Sequence, residues 1–199
     1  MIEVEKKFAV RPGVKERLIS GAQLVGRTIM TDIYFDTPDY QLTCKDRWLR
    51  KRNERWELKL PLNRERIGDR TTDQYQELEN EAEIARALGM SGDAKLAEAL
   101  VQGGHAPFCT VVTTREKYKS GDFTLDFDET DFGFSLLEIE LLVQDPRDVM
   151  VATQRIVAFA HEHGTTAALD HGKIIEYLYR KSPPHYAALV SAGVIRVKG

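Results

Sequence analysis

Ile2-Glu3-Val4-Glu5-Lys6-Lys7-Phe8-Ala9 is the stretch on which the reading of this 199-residue chain turns. In a strand, successive side chains point to opposite faces. Glu3, Glu5 and Lys7 then share one face, and Val4 and Phe8 share the other. An ordinary sheet with its charged side in water gives the same pattern. What sets this chain apart is how often the division recurs downstream.

Strands are predicted at Ile2–Ala9, Met30–Phe35, Trp48–Asn53, Arg55–Leu60, Tyr75–Asn80, Phe108–Tyr118, Phe123–Asp128 and Ser135–Val143. Trp48, Arg50 and Arg52 fall on one face. Glu57 and Lys59 oppose Trp56, Leu58 and Leu60. Tyr75, Glu77 and Glu79 share a face, as do Arg115, Lys117 and Lys119. Asp126 and Asp128 oppose Leu125 and Phe127, and Glu138 and Glu140 oppose Leu137, Ile139 and Leu141. Asn53-Glu54 and Ser120-Gly121 read as hairpin turns. About eight antiparallel strands suffice to close a barrel around a ligand-sized interior. Two arrangements are therefore open: a sheet with charge facing water, or a closed barrel with charge inside and apolar residues outside.

Helices are expected from Pro12-Gly13 to Gly21, over Glu81–Val101 with a break around Gly89–Gly92, from the Asp145-Pro146 cap to Gly164, and over Lys173–Arg180. The fold class expected is α+β, an eight-stranded antiparallel β-barrel with helices packed outside, as one domain over residues 1–199. No apolar run reaches the ~18 residues of a membrane helix, and the amino terminus lacks a signal-peptide core. A cytoplasmic monomer is expected. Cys44 and Cys109 lie in no paired motif and read as reduced thiols. The net charge of −3 argues against a nucleic-acid binder. His161 and His163 are two apart near a helix end, so they do not share a face for a metal.

Charge enclosed in a barrel is tolerable only where it is wet or completed by a ligand. Lys7, Arg50, Arg52, Lys59, Arg115 and Lys173 suit a polyphosphate. Glu3, Glu5, Asp126, Glu138 and Glu140 suit a hard cation such as Mg²⁺. A metal–polyphosphate ligand answers both clusters.

Glu3-Val4-Glu5-Lys6-Lys7 also matches the ExExK signature of the CYTH, or triphosphate tunnel, superfamily. Arg50-Lys51-Arg52, Glu57-Leu58-Lys59, Glu77, Arg115, Asp126, Glu138-Ile139-Glu140 and Lys173 follow in the family's order, so the resemblance spans Ile2 to about Arg180. Tyr34-Phe35-Asp36-Thr37-Pro38, Trp48-Leu49-Arg50, Trp56-Glu57-Leu58-Lys59 and Asp131-Phe132-Gly133 resemble its thiamine-triphosphate-hydrolysing branch. The resemblance implies an eight-stranded tunnel that hydrolyses thiamine triphosphate to thiamine diphosphate and phosphate. Glu5, Glu138 and Glu140 would hold Mg²⁺, with Glu3 and Asp126 close by. Lys7, Arg50, Arg52, Arg115 and Lys173 would grip the triphosphate. The alternative within the family is an inorganic triphosphatase or another CYTH triphosphate-processing enzyme.

Lys59 is the candidate general base, on the expectation that neighbouring cations and desolvation lower its pKa, with Tyr34 or Tyr75 hydrogen-bonded to it. A neutral lysine implies an alkaline optimum. Trp48 shares the face of Arg50 and is the candidate platform for a cationic heterocycle.

Overall fold

The computed structural model describes residues 2–62, 65–67, 69, 70, 72–90 and 95–197. Strands β1 (Ile2–Ala9), β2 (Gln23–Asp36), β3 (Trp48–Arg52), β4 (Arg55–Pro61), β5 (Asp73–Leu78), β6 (Ala106–Ser120), β7 (Phe123–Thr130) and β8 (Ser135–Val143) form the sheet. They close into a barrel in the order β1-β5-β4-β3-β2-β6-β7-β8, every neighbour antiparallel. β1 meets β8 along its whole length, from Ile2 opposite Val143 to Ala9 opposite Leu136.

The barrel is apolar outside. Val4, Phe8, Leu125, Phe127, Leu137, Ile139 and Leu141 pack with Val14 and Leu18 of α1 (Val14–Leu18) and with Ala152, Ile156 and Ala160 of α4 (Val149–Glu162). Leu49, Trp56 and Leu58 pack with Ile84 and Ala85 of α2 (Glu81–Ala87) and with Leu96 and Leu100 of α3 (Leu96–Gln102). Fully burying each such aliphatic side chain contributes about 1.5–3 kcal/mol. Hydrophobic stabilisation therefore sits between barrel and helices, and the lumen need not supply it. A third cluster joins Trp48 and Ile67 to Ile175 and Leu178 of α5 (Lys173–Lys181) and to Leu189 of α6 (Pro183–Ser191). It seats the last two helices beside the lumen.

Several boundaries differ from those expected. β2 runs seven residues further toward the amino terminus than Met30, because Gln23–Ile29 pairs with β6 while showing no apolar alternation. β5 begins at Asp73 and stops at Leu78, because Asn80 caps α2: its side chain accepts from Ala82 N at 3.0 Å and Glu83 N at 3.2 Å. Part of the expected helical break, residues 91–94, lies outside the described residues. Asp145 does cap Arg147 N at 2.8 Å, but Pro146–Asp148 form a 3-10 turn before α4 begins. Asn53 (φ 43°) and Glu54 (φ 74°) make the predicted hairpin, both left-handed as a type I′ turn requires. The second turn is Gly121-Asp122, one residue later than expected, since Ser120 still pairs with Phe123.

Candidate active site

Alternation on the strands and closure of the sheet carry the charged faces inward. Glu5, Lys7, Tyr34, Trp48, Arg50, Lys59, Asp73, Tyr75, Glu138 and Lys173 line one cavity of about 620 Å³, including its open mouth. Six strands contribute to it, and Lys173 enters from the first turn of α5.

Lys7, Arg50, Arg52, Lys59, Arg115, Lys117 and Lys173 each have a carboxylate partner. Lys7 Nζ donates to Glu5 and to Asp73, both at 2.6 Å. Arg50 Nε donates to Glu57 at 2.7 Å. Arg52 forks onto Asp32 at 2.6 and 2.8 Å. Lys59 pairs with Glu77 at 2.6 Å. Arg115 clasps Asp128 through Nε and Nη2, both 2.6 Å, and reaches Glu138 at 2.5 Å and Asp126. Lys117 holds Asp126 at 2.9 Å, and Lys173 holds Asp128. Burial alone would raise the Asp32 carboxyl, but Arg52 and Arg50 overcome it and hold it below its ordinary value. Glu138 is also held below, because Lys173, Arg115, Lys7 and Lys59 outweigh its burial.

The acids expected to hold a metal face one another across neighbouring strands and are incompletely compensated. Glu5 lies opposite Glu140 on β1 and β8, and Asp126 lies opposite Glu138 on β7 and β8. Like charges directly across a ladder are destabilising. Burial, reinforced by Asp126, Glu5 and Glu138 against Lys117, holds the Glu140 carboxyl above its ordinary value. Burial also holds Asp126 above, despite Arg115 and Lys117, and its Oδ1 is buried without a hydrogen-bond partner. Glu3 is pushed up to about 8 by burial and then by Glu5. This donor set is short of positive charge, which is the condition a hard divalent cation meets. It is not preassembled: among the described residues no three acids, histidines or cysteines stand gathered for a metal, since Glu5 is turned onto Lys7 and Glu138 onto Arg115.

Glu3 gives a prediction for the ligand-free protein. An unfolded glutamate ionises near pH ~4.3, so between there and about pH 8 the folded chain keeps a proton that the unfolded chain has lost. Its contribution to stability must fall as pH rises through that window. Melting temperature without divalent metal should drop from about pH 5 to about pH 8, and Glu3→Gln should flatten the drop. An identical slope in the variant would assign the effect elsewhere.

The CYTH domain pattern matches residues 1–170 of this chain. The chain belongs to the CYTH family. It is 33% identical over 208 residues to the thiamine-triphosphatase of Macaca fascicularis, covering 96% of this chain and 90% of the relative. It is 33% identical over 215 residues to that of Homo sapiens, covering 98% and 92%. A Pyrococcus horikoshii OT3 protein shares the fold with a TM-score of 0.66 at 23% identity, covering 90% of this chain and 99% of that one.

Within this CYTH barrel two expectations about the base need correction. Burial would lower the Lys59 amine, but Glu5, Glu77 and Glu3 outweigh that and the opposing Arg50, so its pKa is raised. Nor does the Tyr75 hydroxyl serve Lys59: it donates to Asp46 at 3.0 Å and accepts from Arg70 at 3.0 Å, while Lys59 Nζ stands 5.7 Å from the ring centroid. Tyr34 is buried and lies directly opposite Arg50 on β3. Asp128 falls on the charged face in the sequence without a role assigned to it, and Asp32, Asp46, Arg70 and Asp73 are passed over; all five carry the ion-pair network of the CYTH lumen. Asp32 shares the parity of Tyr34 within the predicted strand, whereas Asp73 shares that of Tyr75 but precedes the strand's predicted start.

Proposed function

We propose that this CYTH chain hydrolyses thiamine triphosphate to thiamine diphosphate and inorganic phosphate inside the barrel. The observation that carries the reading is Trp48, 5% exposed, lining the same cavity as Arg50, Lys59 and Lys173. A flat aromatic wall beside a row of cations matches a substrate whose one end is a cationic heterocycle and whose other end is a polyphosphate. The curated relatives are named for that activity.

Lys7, Arg50, Arg52, Lys59, Arg115 and Lys173 bind and orient the triphosphate, aligning its terminal phosphate for attack by water. They now hold carboxylates, so an entering polyanion must take over cations and release acids. Released acids buried in the lumen require a cation of their own. Glu3, Glu5, Asp126, Glu138 and Glu140 would hold that cation, Mg²⁺ in this reading, which would supply charge neutralisation at the phosphate oxygens. Lys59 acts as a phosphate-gripping cation rather than as a base, since the acids around it keep it charged. The protein's remaining part is to hold the chain rigidly and limit the water that reaches it.

Turnover of thiamine triphosphate, tripolyphosphate and ATP side by side tests the proposal. Thiamine triphosphate should show the highest kcat/KM. Trp48→Ala should lower that value about tenfold, since a desolvated cation–aromatic contact contributes roughly 1–2 kcal/mol. Tripolyphosphate, with no ring to stack, should lose less than about twofold. Equal losses on both substrates would refute the assignment of Trp48, and a preference for tripolyphosphate in the unaltered protein would favour the inorganic triphosphatase alternative.

A further inference from the structure

Asp46 follows the 3-10 turn Thr43–Lys45 with left-handed backbone, φ 57°, a conformation that aspartate and asparagine accept more readily than most residues. The turn brings its carboxylate to the two aromatic side chains Trp48 and Tyr75. Oδ1 accepts the Trp48 indole N–H at 2.7 Å and the Tyr75 hydroxyl at 3.0 Å. Oδ2 takes the Arg70 guanidinium. Arg70, with 3% of its side chain exposed, also donates to the Tyr75 hydroxyl at 3.0 Å and reaches Asp73 at 3.4 Å. Asp73 in turn holds Lys7 at 2.6 Å.

One carboxylate thus fixes two of the aromatic side chains that line the cavity, Trp48 and Tyr75. The second side-chain torsion of tyrosine and tryptophan is broad, so without such a tether the ring planes are set by packing alone. Stacking a flat head group gains from walls already held in one orientation, because the ordering cost is met before binding. A bare polyphosphate makes no use of those planes.

We propose that Asp46 is the positioning residue for the substrate head group. It holds Trp48 and Tyr75 so that the tunnel favours a triphosphate bearing a flat cationic heterocycle over an unsubstituted polyphosphate. This inference rests on the thiamine triphosphate reading above.

Asp46→Asn keeps tolerance of the left-handed backbone, but an amide has one acceptor oxygen. Either the aromatic pair or Arg70 then loses its acceptor. KM for thiamine triphosphate should rise ~5-fold with kcat within ~2-fold, while both constants for tripolyphosphate stay within ~2-fold. In a Trp48→Ala background the same change should raise the thiamine triphosphate KM by no more than ~3-fold, the share left to Tyr75. The chain has two tryptophans, so a Trp56→Phe background isolates Trp48, whose emission should change on Asp46→Asn. Equal losses on both substrates, or none, overturn the proposal. If Asp46→Asn does not fold, Tyr75→Phe removes only the tethering hydroxyl. It should raise the thiamine triphosphate KM ~3-fold and spare tripolyphosphate; a loss of kcat on both substrates overturns the proposal, as does an unchanged substrate ratio. If the unaltered protein does not prefer thiamine triphosphate, the functional reading fails and this one with it. If it does prefer it and the variants keep the same ratio, this inference alone fails.

Discussion

Arg115→Met is expected to destabilise the protein by about 3–5 kcal/mol near pH 8 and to abolish measurable turnover. Arg115 binds Asp126, Asp128 and Glu138 at once, and the side chains of the first two are 2% and 0% exposed. Methionine fills much of the volume and leaves the charges. Asp128 retains Lys173 and Asp126 retains Lys117, but Glu138 loses its hydrogen-bonding partner. In a chain of this length the loss corresponds to a fall in melting temperature of very roughly 10 °C. The pH dependence fixes the mechanism. Burial already raises Asp126 against the pull of Arg115 and Lys117. Without Arg115 that upward shift of Asp126 grows, so the variant should lose stability as pH rises from about 5 to about 8. Denaturant unfolding at both pH values checks this. Arg115→Lys should recover part of the stability, because it restores charge without the planar fork. A deficit below about 1 kcal/mol at pH 8 would mean that the network is compensated elsewhere.

The same residue shows what could be read in the sequence. Arg115, Lys117, Asp126, Asp128, Glu138 and Glu140 lie in strands of unbroken alternation, where parity alone sends them to one face. Parity fails where the strand start is misplaced: beginning β5 at Tyr75 left Asp73 outside the pattern, although it is the partner of Lys7. It says nothing about Asp46 and Arg70, which lie outside the regular strands and acquire their roles only when the chain closes on Tyr75. Nor does parity tell which opposite charge is nearer. Neighbouring cations and desolvation are expected to lower the Lys59 pKa, and burial does, but Glu5 faces it and Glu77 lies directly across the ladder, which reverses the sign. Side-chain direction is a local property of a strand; electrostatic balance depends on every strand of the closed barrel.

Glu140→Gln should move stability and activity in opposite directions. Glu140 faces Glu5 across β1 and β8, and burial together with Asp126, Glu5 and Glu138 already resists its ionisation against Lys117. Glutamine keeps the shape and removes the charge. The ligand-free variant should therefore gain ~0.5–1 kcal/mol near pH 8, or roughly 1–4 °C in melting temperature. The sign is fixed by linkage. A carboxyl whose pKa is raised on folding costs stability above its unfolded pKa, so the gain should vanish as pH falls toward about 4.5. Turnover should fall ~10²-fold or more, because charge stabilisation around the transferring phosphate is lost. A Mg²⁺ titration separates the two effects. Mg²⁺ should raise the melting temperature of the unaltered protein by mass action. The variant should need at least ~10-fold more of it, since even partners outside a metal's first shell contribute that much. A variant less stable than its parent at pH 8, or one that keeps full turnover, would contradict this account of the acidic wall. A sheet selected for stability alone has no reason to place Glu5 against Glu140 and Asp126 against Glu138; a sheet selected to bind a cation and a polyanion together does.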